Sequence, residues 1–364
     1  MREPLLSHES FVTHIGSPGA RIDAVALTFG EKIGPRAFKQ LTAVYGSPSQ
    51  ALLATYSARE QARLRSEAEI ALETGQKVGA RFLLIGDADY PAKLYELHDP
   101  PPYLFVSGDL AVLQRPCVAV VGTRRATAYG EWATTNIVEP VAAAGVCIVS
   151  GMARGIDAAA HRAALACGGT TVAVLGTGVD VAYPVGHRAL RQTIAERGLV
   201  VSEFPCGAHA TKGSFPRRNR IIAALAALTI VIEAPEDSGA MITEGHATDL
   251  GRDVGAVPGP INSPQSAESN RLIQYGAHTI LNASDVLSLL GVPGPSTRAS
   301  QLELKLAADE VTVWDALEHA ITPMDMLADR IDLPTNRMLA AVTGLEVRGL
   351  IETLPTGELR RRRR

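Results

Sequence analysis

Residues 118–130, VAVVGTRRATAYG, and residues 146–161, VCIVSGMARGIDAAAH, decide how this chain is read. Val118–Val121 and Val146–Val149 are short apolar, β-like runs. Each breaks directly into a glycine-containing turn, Gly122-Thr123-Arg124-Arg125 in the first and Ser150-Gly151-Met152-Ala153-Arg154-Gly155 in the second. Each turn then opens an alanine-rich helical pattern. Strand, turn and helix, twice over, put backbone N–H groups, helix N-termini and arginines in one place, a candidate cradle for an anion or phosphate. The dinucleotide fingerprint G-x-G-x-x-G does not follow the first strand. The cradle holds either a nucleotide for chemistry or a nucleic-acid backbone for binding.

Outward from that stretch, apolar runs keep alternating with helical segments. Thr171–Leu175, Leu199–Val201, Thr229–Glu233 and Val254–Val257 are mostly apolar rather than alternating, as in a parallel sheet covered on both faces. About 10–15 helical residues separate them, which gives a doubly wound α/β domain. Pro140 is expected to kink or end the first of these helices. Before the sheet, Arg21 to about Glu73 is helical, with Val25, Leu27, Phe38, Leu41, Val44, Leu52 and Leu53 as expected core. Ile33-Gly34-Pro35-Arg36 reads as the turn of a helix-hairpin-helix, and as a docking module more often than an independent DNA binder. Gly291–Thr297 reads as a linker. Thr322-Pro323 and Pro334-Thr335 read as helix starts, and residues 350–360 as a hairpin, so the last stretch is a winged helix with Asn336–Val347 in the recognition position. The five arginines Arg360–Arg364 read as a solvated, disordered end at least as readily as a DNA contact. The expected organisation is an N-terminal helical domain, SAM- or helix-hairpin-helix-like, at 1–80, an extended Rossmann-like domain at 81–290, a linker at 291–301 and the winged helix at 302–364.

Bulk properties narrow the function classes. The chain has 364 residues, 46% of them hydrophobic and 20% charged, enough for a sizeable core in two or three domains. A net charge of −3 requires any nucleic-acid surface to be local. The four cysteines form no C-x-x-C pair, which argues against a zinc site or a disulfide framework and for a reducing compartment. No signal peptide is visible, and the apolar run Ile221–Ile232 is too short to span a bilayer, so a cytoplasmic location is expected. No metal-ligand cluster and no nucleophile with an adjacent base stand out, so neither cofactor nor metal is expected.

The most informative piece is Thr211-Lys212-Gly213-Ser214-Phe215-Pro216-Arg217-Arg218-Asn219-Arg220, with four cations, no acid and one aromatic. Cations that hold phosphates beside an aromatic that stacks a base bind single strands without reading sequence, stacking being worth roughly 1–3 kcal/mol per base. The alternative is that Phe215 is core at a helix start and the arginines are solvated. Arg124 offers a fork for a phosphate. Asp157 and His161, four apart on one helix, are able to pair, though a structural role for each is favoured. Glu233-Ala234 through Ser238-Gly239 to Thr243-Glu244 is a further glycine-containing loop and helix start.

Five segments in one order resemble the DprA/Smf family of DNA-processing proteins: Val118–Arg124, Ser150–Asp157, Phe215–Arg220, Glu233-Ala234 with Ser238-Gly239 and Thr243, and Ala256-Val257-Pro258-Gly259. The resemblance covers about residues 90–290. It implies an extended Rossmann fold, without enzymatic activity, that binds single-stranded DNA, protects it and loads RecA recombinase onto it in natural transformation, acting as a homodimer through the Rossmann domain. Carried onto this chain, the DNA site comprises Gly122, Thr123, Arg124, Gly151, Arg154, Gly155, Lys212, Phe215, Arg217, Arg218, Asn219, Arg220, Ser238 and Gly239. Within it, Arg124 takes phosphate, Lys212 the backbone and Phe215 a base. Two departures stand out: Tyr183-Pro184-Val185-Gly186-His187 where the family often has Asn after Tyr-Pro, and Met152 in place of Leu. The rival reading is a nucleotide-processing Rossmann enzyme of the lysine-decarboxylase-like or phosphoribohydrolase type, with Arg125 and Glu244 as its best catalytic candidates.

Overall fold

The computed structural model describes residues 18–31, 33–293, 306–317, 322–354 and 357–361. They fall into two compact units, residues 1–294 and 295–364. The first is built on a nine-stranded sheet: β1 (Arg81–Leu84), β2 (Tyr103–Gly108), β3 (Cys117–Val121), β4 (Cys147–Ser150), β5 (Thr171–Val174), β6 (Leu199–Ser202), β7 (Leu228–Val231), β8 (Asp253–Ala256) and β9 (His278–Thr279). Their spatial order is β1-β2-β6-β5-β4-β3-β7-β8-β9. β3 to β9 pair in parallel, and β1 and β2 close one side antiparallel.

β3 shows why these runs are apolar throughout. Cys117, Ala119 and Val121 enter one core and Val118 and Val120 the other, so both faces of the strand are covered. From β3 the chain winds outward through β4, β5 and β6, then returns to β7 on the far side of β3. The crevice beyond the C-terminal ends of β3 and β7 is the topological switch point, where open α/β sheets seat their ligands. The helix Ala128–Ala143 carries Pro140 inside its last turn rather than breaking there. The proline forgoes one hydrogen bond close to where the helix ends in any case.

Among the described residues, the helices Pro18–Phe29, Pro35–Tyr45, Pro48–Thr55 and Ala58–Lys77 precede the sheet and share its core. Arg21 pairs with Asp87 at 2.8 Å and lies over the Phe82 ring, fastening the first helix to the β1 side. Gly75 abuts Phe105 of β2, where a Cβ would meet the ring at 2.7 Å. Val25, Leu27, Phe38 and Leu52 are buried, but Val44 and Leu53 lie on the solvent face of their helices. Gly34 caps the helix that Pro35 opens, as the Ile33-Gly34-Pro35-Arg36 turn predicts.

The second unit has its own core of Val313, Leu317, Leu327, Met338, Leu345 and their neighbours. It comprises the helices Ala308–Ala316, Met324–Arg330 and Thr335–Val347 and a sheet ordered β10-β12-β11 from β10 (Thr322–Pro323), β11 (Ile351–Thr353) and β12 (Glu358–Arg361). Thr322-Pro323 is therefore strand, and the helix starts one residue later. Arg360 and Arg361 belong to β12 instead of a loose end: Arg360 pairs with Glu352, and Arg361 stacks on Trp314, 4.3 Å from the ring centre. Arg362–Arg364 and most of the expected 291–301 linker lie outside the described residues.

Candidate nucleic-acid interface

A cleft of about 700 Å³ opens at the switch point. One wall is the turn after β3. Thr123 N donates to Glu233 O at 2.7 Å, tying this turn to the end of β7, and Arg124 and Arg125 are exposed. Gly122 is there for packing: a Cβ would meet Ile156 at 2.6 Å and Glu233 O at 2.9 Å. The opposite wall is the N-terminal turn of the helix Ser214–Leu225 with the segment before it, carrying Lys212, Phe215 and Asn219. Ser238 and Gly239 close the third side, and Asn219 Nδ2 donates to Gly239 O at 3.2 Å across the floor.

Arg124 and Phe215, from different walls, meet: the guanidinium lies 5.1 Å from the ring centre. Such a contact is worth about 0.5–1 kcal/mol at an exposed site. Lys212 is exposed, and no hydrogen bond or ion pair ties it down among the described residues. The cleft therefore offers three accessible cations, Arg124, Arg125 and Lys212, beside an aromatic face.

The second glycine turn does something different. Gly151, Arg154 and Gly155 are not among the residues lining the cleft. Three side chains hold the turn's backbone. Arg218 donates to Gly151 O at 2.5 Å and also to Val174 O. The His187 ring nitrogen Nδ1 lies 3.1 Å from Met152 O, and since a carbonyl only accepts, Nδ1 carries the proton. Ala153 N donates to Asp157 Oδ2 at 3.2 Å. Met152, buried, takes a left-handed φ of 58°, which costs roughly 1–2 kcal/mol in a non-glycine residue and is held by these contacts. Gly155 has φ +71° and sits against Thr123 O, where a Cβ would stand 2.3 Å away, so only glycine lets the two turns touch. The second turn thus braces the first, its backbone held by contacts inside the protein while the Arg154 side chain stays exposed.

The arginines of the basic run divide likewise. Arg218 lines the cleft floor but is 4% exposed, and burial pushes its pKa down to about 10 while Asp157 opposes the shift. Arg220 is 3% exposed and pairs with the buried Glu203 at 2.8 Å. Arg217 reaches the same carboxylate at 2.9 Å and lies over Phe204. Arg217 and Arg220 are absent from the cleft lining, because Glu203 draws them to the other side of the helix.

Asp157 and His161 do not pair. His161 Nδ1 is 2.7 Å from Thr171 Oγ1, which itself donates to Ile148 O. The threonine oxygen thus accepts from Nδ1–H, and the buried Nε2 is left without a partner among the described residues. Burial lowers the His161 pKa to about 3 and raises that of the Asp157 carboxyl, opposed there by Arg218. The rival catalytic pair also separates: Arg125 lines the cleft, whereas Glu244 accepts from Thr248 at 3.0 Å and lines a different hollow of about 560 Å³. Among the described residues, no group of three or more His, Cys, Asp or Glu side chains is placed to hold a metal, and no helix is long and apolar enough to cross a membrane.

One cleft residue stands in a segment that the sequence marks only as a departure at the rim. Tyr183, on the loop after β5, stands at the rim 46% exposed, with its ring centre 5.2 Å from that of Phe215. Its 183–187 segment was visible only as a departure from a motif, since nothing local says which wall the loop reaches.

Fold and site define a doubly wound α/β protein whose switch-point crevice carries cations and aromatics, combined in one chain with a second unit that has, among the described residues, three helices and three strands. The family model for DNA recombination-mediator protein A matches residues 81–291, and that for the DprA winged helix domain matches residues 297–357. The chain belongs to this DprA/Smf family. It is 44% identical over 227 residues to Protein Smf of Synechocystis, a match covering 60% of this chain and 56% of that protein. Protein Smf of Escherichia coli is 37% identical over 284 residues, 75% of each chain. The X-ray structure of DNA processing protein A from Streptococcus pneumoniae superposes with a TM-score of 0.61 at 33% identity, covering 79% of this chain and 98% of that one. A structure reporting the single-stranded DNA binding mode of DNA processing protein A from Helicobacter pylori gives 0.53 at 32% identity, covering 58% and 95%.

Proposed function

We propose that this chain is a recombination mediator that binds single-stranded DNA in the switch-point cleft, shields it and passes it to RecA recombinase, without chemistry of its own. The observation that carries this reading is the convergence of Arg124, Lys212 and Phe215, from two separate walls, on one open trough. Phosphates need accessible cations and splayed bases need aromatic faces. A mononucleotide enzyme needs an acid/base pair at the reacting atom, and the Arg125–Glu244 pair is not assembled. The DNA-facing set is accordingly Gly122, Thr123, Arg124, Lys212, Phe215, Asn219, Ser238 and Gly239. Gly151 and Gly155 serve it from behind, and Arg218 from the floor.

The homologous protein from Helicobacter pylori, with its reported single-strand binding mode, supports the choice of ligand. A homodimer through the α/β unit belongs to the same proposal. Tyr275 and Leu281, 78% and 69% exposed beside the edge strand β9, are suited to cover one another across such an interface. Titration of a labelled dT oligomer tests the ligand: Lys212→Ala and Phe215→Ala should each weaken binding about tenfold, Lys212→Ala with its melting temperature unchanged. If both bind as wild type does, the cleft is not the site. Strand exchange on DNA coated with single-strand-binding protein, with and without this chain, tests the hand-over to RecA.

A further inference from the structure

We propose that Tyr183 is the principal base-stacking platform of the cleft, with Phe215 as the support that holds its ring in place. The inference rests on the single-strand reading and goes beyond it by naming the surface that a base meets first. Phe215 is half-buried. Its ring lies against Gly176, where a Cβ would stand 3.0 Å from Cδ1. Arg124 lies over it at 5.1 Å and Tyr183 beside it at 5.2 Å with a 39° tilt. These neighbours cover part of the Phe215 ring, which leaves less of it for a base. Tyr183 has the opposite character: it is 46% exposed, it lines the same cleft, and its hydroxyl makes no hydrogen bond among the described residues.

The loop that carries Tyr183 is fixed at its other end by the His187–Met152 contact at 3.1 Å, so the ring is presented from a fastened segment. An amphipathic ring held at a rim costs little conformational entropy to use. Arg124 and Lys212 line the same cleft, where they can take the flanking phosphates while the base lies on Tyr183. Capture of a phosphate by Arg124 would also draw its guanidinium off Phe215, opening a second face for the neighbouring base.

The test uses the full chain, dT oligomers and two readouts. In anisotropy titrations, Tyr183→Ala and Tyr183→Leu should bind about tenfold more weakly than wild type, within the roughly five- to 150-fold range that loss of one stacked base implies. Tyr183→Phe keeps the π face and should stay within about twofold. Irradiation of wild-type protein bound to a dT oligomer carrying 5-iododeoxyuridine should place the main crosslink on Tyr183, a result that needs no variant to fold. Normal binding by Tyr183→Ala while Lys212→Ala and Phe215→Ala are weakened would overturn the Tyr183 assignment and leave the cleft reading standing. Equal loss in Tyr183→Phe would assign the effect to the hydroxyl and overturn stacking, as would a crosslink confined to Phe215. Wild-type binding by all of these variants would remove the cleft reading itself.

Discussion

Lys212 and Arg220 belong to one basic run of sequence, yet the fold treats them oppositely. Lys212 precedes the helix, is exposed and faces the cleft, whereas Arg220, two turns into the helix, is 3% exposed and paired with Glu203. The helix period turns Arg217 and Arg220, three residues apart, to one side, where a buried carboxylate collects both. The two glycine turns repeat this contrast. The one after β3 presents Arg124 to the cleft, and the one after β4 is taken up by contacts to Arg218, His187 and Asp157. The accessible charge of the cleft therefore comes from the cations the protein leaves unpaired, while the paired ones hold the shape around it.

Four measurements probe this division of labour. Arg220→Ala should have the largest effect, on stability: it strips a buried partner from Glu203, costing about 3–5 kcal/mol and lowering Tm by on the order of 10 °C. The acid limb of the stability curve comes next. His161 has a folded pKa of about 3 against about 6.5 when unfolded, so the unfolded chain takes up the proton first. Its contribution is complete above about pH 6.5 and is lost as pH falls toward 3, at up to about 1.4 kcal/mol per pH unit. Asp157, with a raised carboxyl pKa, works in the opposite direction by binding its proton first in the folded state. Urea unfolding of wild type and His161→Gln at pH 7, 5.5 and 4.5 should show the gap between them closing with acid.

Lys212→Ala should change stability by less than about 0.5 kcal/mol, as exposed substitutions do, while weakening single-strand binding about tenfold. Arg154→Ala should do least. Arg154 is exposed but not part of the cleft lining, so affinity should move by less than about twofold. A large loss there would show that the strand crosses the second turn after all.

Much of the architecture is legible in the residues. The apolar runs at Val118, Val146, Thr171, Leu199, Thr229 and Val254 each locate a strand, because a strand covered on both faces has no polar positions to disguise it. β9 is too short and polar to announce itself: His278 and Thr279 are both exposed and owe their strand conformation to pairing with Gly255 and Ala256. At the site, Arg124, Lys212 and Phe215 are visible from residue type, but the fate of Arg217 and Arg220 depends on Glu203, 14 and 17 residues away. Tyr183 is hidden for the same reason, since its place beside Phe215 is set by how the sheet closes.

The central claim is that unpaired cations of the cleft neutralise a single-stranded backbone. It is tested most directly by plotting log Kobs against log salt for a dT oligomer with wild type and with the Arg124→Ala/Lys212→Ala pair. Each phosphate that is no longer neutralised should flatten the slope by about 0.7, so the double variant should be shallower by about 1.4 and bind more weakly at every salt concentration. Parallel lines with equal intercepts would contradict the account.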